Sequence, residues 1–433
     1  MPAMNGVSLA STRAAAGGSP EGAPAGFPGA AEMTRRQFHR TAVGGVVGAA
    51  ALACGASGPD EALALPAAPV AGRRQQVSLA VVPRGAGVAA TAAAVRRAVL
   101  ETTDLSWLSR GDSVLIKPVC NSGNEYPATT DPVALHEMIV LLRERGAGRV
   151  VVADMSGVQF VRFSRDRLWG STRALLQNNG LLAAAESAGA EVHAFEEHGW
   201  DSFYDEVPRE GENWRQPLML PNVLKEIDHV VLMPRCSRHI LAGSTLGLKA
   251  AVGWWRHDSR LEYHHDAQTF AEKTAESNTT PTLLEKQRLV VTSATKVLTT
   301  FGPDDGHVEE PQTGLVIASE SVVAHDMVSL AWLIENRRRT PAEAKDSVID
   351  DPNQSGFVVS SANRIVSMML GGVGKAFSAE GLDPWSIDTV WHDKVLHRAF
   401  TVFGGVPEVE LSDDAGAVPA EILAGLSAAT RFA

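Results

Sequence analysis

From about Gln76 the chain alternates short apolar runs with longer amphipathic ones. "QVSLAVVP" is short and β-branched, "SVLIKPV" is apolar up to its lysine, and "RVVVADMS" repeats the pattern. "DHVVLMPR", "RLVVTSATKVL" and "TGLVIAS" are further strands of this kind. Residues 88–101 carry an alanine-rich helical face, and "DPVALHEMIVLLRERG" predicts a helix with both ends marked. Asp131 is placed to cap it, Pro132 suits its first turn and Gly146 its C-terminal stop. Continuous apolar strands between helices predict an α/β fold, a mostly parallel sheet flanked by helices on both faces. We expect two lobes, with a cleft near residues 117–131 and 236–265. In open sheets of this class ligands sit beyond the carboxyl ends of the strands. That rule singles out Lys117–Asn121, Asp154–Gly157, Cys236–His239 and Gly302–His307, all polar stretches.

Composition narrows the function classes. The 433 residues are 45% hydrophobic and 21% charged, the balance of a folded chain. Fifty acidic against 39 basic residues give a net charge of −11, which argues against nucleic-acid binding and general attraction to anionic membranes. Three cysteines are too few for a disulfide scaffold or for a protein-only iron–sulfur cluster. No apolar run after residue 60 is long enough to span a membrane, so no integral span is expected in the mature chain.

The N-terminus reads as an address. Residues 1–32 are rich in Ala, Gly, Ser and Pro. From Met33 the segment "MTRRQFHRTAVGGVVGAAALACGASG" resembles a twin-arginine signal: Arg35 and Arg36, then Phe38 and Arg40, then a mild apolar stretch from Ala42 to Ala53. Cleavage is expected after Ala62–Ala64. Lipoprotein anchoring at Cys54 is disfavoured, because Ala51 stands where Leu is usual. The expected organisation is a leader over 1–64, an α/β domain over 76–340 and a C-terminal extension over 341–433 that packs on it. The twin-arginine translocation machinery is then an expected partner, and the periplasm or the extracellular space the destination. That route carries folded proteins, so the site would be assembled before export.

Several motifs occur in order between residues 76 and 340: Lys117-Pro118, Thr129-Thr130-Asp131-Pro132, Gly146-Ala147, Asp154, Arg238-His239, "STLGLK" ending at Lys249, Gly253, Gly302-Pro303, Gly306 and Asp326. By them the chain is identified as a member of the domain of unknown function 362 family, whose biochemical role is not assigned. It departs from the family pattern after Lys-Pro, where Val119-Cys120 displaces Asn121, and before Gly302, where an acidic residue is expected. It also lacks the ferredoxin-type cysteine clusters that some members carry. Locally, "RHILAGSTLGLKAAVG" is similar to a segment of nickel-dependent lactate racemases. His239, Lys249 and His265 keep that segment's spacing. The resemblance implies a proton-shuttling His239, a Lys249 bearing a nickel nucleotide cofactor and a metal-binding His265. The racemases' second catalytic histidine has no counterpart after Asp154, which speaks against two-base racemisation.

Each candidate has a plainer reading beside it. His239 is an acid/base or a hydrogen-bonded loop residue. Lys249 either extends its ammonium to the surface or is desolvated, holding an anion or a covalent group. The His/Asp run around His257, Asp258, His264, His265 and Asp266 is read as a solvated face, with His265 set apart by its spacing. Cys120 and Cys236 are ranked as buried or free thiols, then a disulfide, then Cys236 as a soft metal ligand beside His239. Thr129, Thr130 and Asp131, with Lys117 and Asn121 nearby, either bind an anion at a helix N-terminus or simply cap it. Asp154 and Asp326 ligate a cation, orient Lys and His, or simply cap, and Asp304, Asp305 and His307 are read as a turn rather than a cation site. Two functions follow. One is an exported protein that binds a small anionic ligand or metal-nucleotide cofactor and catalyses proton or hydride transfer. The other is a non-catalytic periplasmic binding or cofactor-assembly protein.

Overall fold

The computed structural model describes residues 71–432, apart from 349, 385, 386, 414 and 415. The twin-arginine segment, the cleavage site and Cys54 lie outside the described residues. Among the described residues, eight strands form the main sheet. In chain order they are β1 (Ala71–Pro83), β2 (Ser113–Pro118), β3 (Arg149–Asp154), β4 (Glu191–Ala194), β5 (His229–Met233), β8 (Gln287–Ala294), β11 (Thr313–Ser319) and β12 (Val406–Ser412). Their order across the sheet is β12-β1-β11-β8-β5-β2-β3-β4. All neighbours are parallel except that β11 runs against both β1 and β8. The architecture is therefore α/β with a mostly parallel sheet.

Alternation along each strand divides the core between the two faces. Val114 and Ile116 of β2 and Val150 and Val152 of β3 pack with Val95 of helix α1 (Val88–Thr102) and Leu135 and Ile139 of helix α2 (Pro132–Glu144). Leu115, Val151, Val230 and Leu232 face the other way, toward Trp254 and Trp332. Helix α2 begins as its sequence predicts: the Asp131 carboxylate accepts the Val133 N–H, and Pro132 occupies the first turn. The helix stops at Arg145, and Gly146 follows with φ +107°.

The chain visits β2, β3 and β4 outward in one direction, then returns to lay β5 on the other side of β2. The strand order thus reverses between β2 and β5, the topological switch point where such sheets hold ligands. Residues 117–131 and 236–265 do meet at this edge, but inside a single compact unit rather than between two lobes.

The expected strand "RLVVTSATKVL" is broken after Ala294. The Tyr126 hydroxyl accepts the Lys296 N–H at 2.9 Å and reaches the Ser293 carbonyl at 3.1 Å, which turns the backbone out of the sheet. Its remainder, β9 (Val297–Leu298), joins a small sheet with β6 (Ser237–His239), β7 (Gly243–Thr245) and β10 (Val308–Glu309), in the order β7-β6-β9-β10. Asp304, Asp305 and His307 lie in the turn between β9 and β10. Here Gly302 has φ +53°, and a Cβ on it would lie 1.7 Å from the Arg238 carbonyl oxygen. Gly302→Ala is expected to cost about 2–4 kcal/mol, from left-handed strain plus overpacking. Urea denaturation checks this: an unchanged midpoint would show that the hairpin yields freely.

Residues 341–433 contribute to the main body. β12 pairs in parallel with β1, and Val395, Leu396, Ala399 and Phe400 of helix α8 (Lys394–Val402) are buried. Among the described residues, no helix is long and apolar enough to cross a membrane.

Candidate functional site

At the ends of β2 and β3 the backbone brings a lysine to a carboxylate. Lys117 Nζ lies 2.8 Å from Asp154 Oδ1, with both side chains at most 3% exposed. Lys117 also donates to the Pro118 carbonyl at 2.7 Å and sits 5.6 Å from the centroid of Trp254. Asp154 in turn accepts the N–H groups of Cys120 and Met155. Burial pushes the Lys117 pKa down, and the Asp154 charge opposes that shift. Gly253 is pressed against the pair: a Cβ there would fall 2.3 Å from Lys117 Nζ and 2.4 Å from Asp154 Oδ1.

The neighbouring loop is tied internally. The Thr129 hydroxyl donates to the Asn124 carbonyl, and Thr130 donates to the Met233 carbonyl while accepting the Val119 N–H. Asp131 accepts the Ser293 hydroxyl as well as capping α2, and burial raises its pKa. Asn121 is half-buried, and its carbonyl accepts the Gly157 N–H. Cys120 is a buried free thiol, pushed up to about 12 by burial, beside Ser156 and Asn179. Cys236 is also buried and free; it donates to the Ser329 carbonyl, and burial raises its pKa.

Beyond β5 stands a residue that the sequence reading passed over. Arg235 is fully buried, and its Nε, Nη1 and Nη2 all lack a hydrogen-bond partner among the described residues. Burial lowers its pKa to about 10, and the Asp304 charge opposes the shift. Asp304 itself accepts the Ser122 hydroxyl at 2.9 Å.

His239 and Lys249 share Arg235's surroundings. His239 Nδ1 accepts two backbone N–H groups, from Leu241 at 3.0 Å and Ala242 at 3.3 Å. The ring proton therefore sits on Nε2, which has no partner among the described residues. Burial, then the charges of Lys249 and Arg235, hold the His239 pKa well below 6.5, so the ring is neutral.

Lys249 lies on the short helix α3 (Gly247–Ala250). Its Nζ sits 5.5 Å and 5.9 Å from the ring centroids of Tyr263 and Phe270, and no carboxylate or hydrogen-bond acceptor meets it among the described residues. The side chain is half-buried, and desolvation of its amine, then the charges of Arg260, Arg235 and Lys117, lower its pKa to about 7. Asp326 fixes this helix by accepting the Gly247 and Leu248 N–H groups at 2.8 and 2.7 Å, and it also meets the His325 ring. Gly247 is needed there, since a Cβ would lie 2.8 Å from Asp326 Oδ1. Asp154 and Asp326 are thus placed as orienting groups.

A lysine titrating near 7 in the folded chain and near 10.5 when unfolded makes stability depend on pH. Between those values the unfolded state binds the extra proton, so stability rises as pH rises through that window. Lys249→Met removes this dependence. The variant is expected to be the more stable protein at pH 6, with the gap closing above pH 7 and gone by about pH 10.5. Chemical denaturation of both proteins across that range checks it; a gap that does not change with pH would refute it.

The His/Asp run is not a solvated face. In helix α4 (His257–His265), His257, Arg260, Tyr263 and His264 are buried. Arg260 donates to the carbonyls of Met155, Ser156 and Trp255. The Lys249 charge acts on His264 as well as on His239. His264 Nδ1 faces the Asn363 side-chain oxygen at 2.8 Å, and burial brings its pKa to about 3. His265 instead meets Asp266 through Nδ1 and Ser378 through Nε2, in a network that includes Lys273. Cys236 meets the Ser329 carbonyl, while His265 is engaged by Asp266 and Ser378. Among the described residues, no group of three or more His, Cys, Asp or Glu side chains is arranged to hold a metal ion.

Residues 114–331, about half of the chain, match the family model described as domain of unknown function (DUF362). The chain belongs to this family. No curated protein matches it. Among solved structures, a Thermotoga maritima protein from the Northeast Structural Genomics Consortium is similar at 12% identity and a TM-score of 0.33, over 59% of this chain and 58% of that one. The lactate racemase apoprotein from Thermoanaerobacterium thermosaccharolyticum is similar at 10% identity and a TM-score of 0.35, over 86% and 88%. Both are weak structural likenesses. In this DUF362 chain the motif residues have visible physical roles. Lys117 and Asp154 pair, Gly253 clears space for them, Asp326 holds the Lys249 helix, and Gly302 clears the Arg238 carbonyl.

Proposed function

We propose that this DUF362 protein binds a small anion at the switch point between β2 and β5, with Arg235, Lys249 and the His239 Nε2–H as its donors. The observation that carries the reading is Arg235, a buried guanidinium with no hydrogen-bond partner for any nitrogen among the described residues. An unpaired buried charge costs several kcal/mol, on the order of a whole domain's net stability. A bound carboxylate or phosphate removes that cost, and guanidinium geometry suits either one. The carboxylate whose charge bears on Arg235, Asp304, is engaged by the Ser122 hydroxyl; Asp154 is engaged by Lys117 and Asp326 by backbone N–H groups. His239, as a neutral donor, would polarise a ligand oxygen, which suits proton transfer. A non-catalytic binding or cofactor-assembly role uses the same anion site and differs only in turnover.

A nickel nucleotide carried by Lys249 and His265 fits these residues poorly, because both ring nitrogens of His265 have other partners. For localisation we propose export by the twin-arginine machinery to the periplasm or beyond, with the site assembled before transport. Cell fractionation of an Arg35→Lys/Arg36→Lys variant tests that part; unchanged export would sink it.

Calorimetric titration of inorganic phosphate and malonate into the purified full chain tests the anion reading. One saturable site is expected, weakened at least about 30-fold in Arg235→Met, the loss that goes with removing one partner of a buried charged contact. Equal heats in both proteins would overturn the assignment.

A further inference from the structure

We propose that the site takes a small carbonyl compound carrying an anionic group, and that Lys249 forms an imine with its carbonyl carbon. The inference rests on the anion reading and adds a covalent step to it. Three arrangements support it. Lys249 presents an amine with no carboxylate or hydrogen-bond partner among the described residues, against the rings of Tyr263 and Phe270. Arg235 supplies a separate, unpartnered site for the ligand's negative charge. His264 packs on the same Tyr263 and Phe270 rings as Lys249, and it and His239 are held in complementary tautomers. His239 carries its proton on Nε2, because Nδ1 accepts two backbone N–H groups. His264 carries its proton on Nδ1. The Asn363 amide fixes this, since its nitrogen donates to the His264 carbonyl at 2.7 Å and its oxygen therefore faces the ring. His264 Nε2 is left with a free lone pair and no partner among the described residues.

A ligand carbonyl between them meets one donor and one acceptor. His239 Nε2–H polarises the carbonyl oxygen, as a neutral imidazole can. The Lys249 amine adds to the carbonyl carbon, forming a C–N bond while the π electrons move to oxygen. His264 Nε2 takes a proton from the new ammonium and passes it to that oxygen. His264 Nε2 then relays the remaining nitrogen proton to the hydroxyl as the C–O bond breaks, so that water leaves and the nitrogen electrons close the neutral C=N bond. No oxidant or reductant is consumed, and both histidines end as they began. An amine lowered to about 7 is substantially neutral at physiological pH, which favours the addition.

The test is reductive trapping. Full-length protein is incubated at neutral pH with sodium cyanoborohydride and one of five probes: pyruvate, dihydroxyacetone phosphate, acetone, acetate or inorganic phosphate. Intact mass and peptide mapping follow. A single reduced adduct on Lys249 is expected with pyruvate or dihydroxyacetone phosphate, and the better of the two identifies the anion as carboxylate or phosphate. Acetone lacks the charge, and acetate and phosphate lack the carbonyl, so none of the three should label. Arg235→Met should reduce trapping at least tenfold, and Lys249→Arg should abolish it. The wild-type peptide map stands even if a variant fails to fold. Labelling spread over surface lysines, or none at Lys249, overturns the imine. If calorimetry still shows phosphate or malonate binding, the anion reading survives that failure; if it shows none, both fall.

Discussion

Asp154→Ala is expected to destabilise the folded protein by about 3–5 kcal/mol, because it leaves the buried Lys117 ammonium without its counter-charge. Lys117 is 1% exposed, its nearest carboxylate is Asp154, and Trp254 supplies only a weaker electrostatic contact. The same substitution also frees the Cys120 and Met155 N–H groups, adding about 1–3 kcal/mol for each one left unsatisfied. Removing both charges together behaves differently. Lys117→Met/Asp154→Leu should lie much closer to wild type than Asp154→Ala does, since apolar replacement of a buried pair is often neutral. The comparison reads directly from urea midpoints at neutral pH. If the double variant is as unstable as the single one, the loss comes from packing or from the two N–H groups rather than from the stranded lysine.

Arg235→Met should shift stability in the opposite direction. A structural arginine lowers stability when removed, because its hydrogen bonds go with it. Arg235 has no such bonds, so its removal from the ligand-free protein relieves a desolvated charge. A gain of more than about 1 kcal/mol is expected, together with a loss of anion affinity of about 2–5 kcal/mol. Arg235→Lys separates charge from geometry: it keeps the positive charge but loses the planar fork, and should bind more weakly than wild type but better than Arg235→Met. Destabilisation in all variants would mean that water or a shifted side chain satisfies the guanidinium.

Much of this arrangement is legible in the sequence. The apolar runs that become β2, β3, β5 and β11 are short and flanked by clear punctuation, and Asp131, Pro132 and Gly146 mark α2 at both ends. The strand-end rule found Lys117, Asp154 and His239 because a parallel sheet places every carboxyl end on one edge. Tertiary contacts escaped it. The break after Ala294 depends on Tyr126, some 170 residues away in sequence, so no local signal announces it. Spacing favoured His265, whereas the helix turns His264 inward and leaves His265 to Asp266 and Ser378. On a helix adjacent residues point about 100° apart, so a one-residue error changes the face entirely. Arg235 does carry a signal, a cation directly following the buried run "VVLMP" and next to Cys236. That its nitrogens lack partners is a property of the folded interior alone.

The most direct test of the anion site compares wild type and Arg235→Met by chemical denaturation in chloride and in phosphate at matched ionic strength. The anion site predicts a reversal of order. Arg235→Met is the more stable in chloride, while phosphate at about 100 times the wild-type dissociation constant raises wild type by about 2.7 kcal/mol and the variant by no more than about 0.9 kcal/mol. A variant that is less stable than wild type in both salts, with neither protein responding to phosphate, would contradict it.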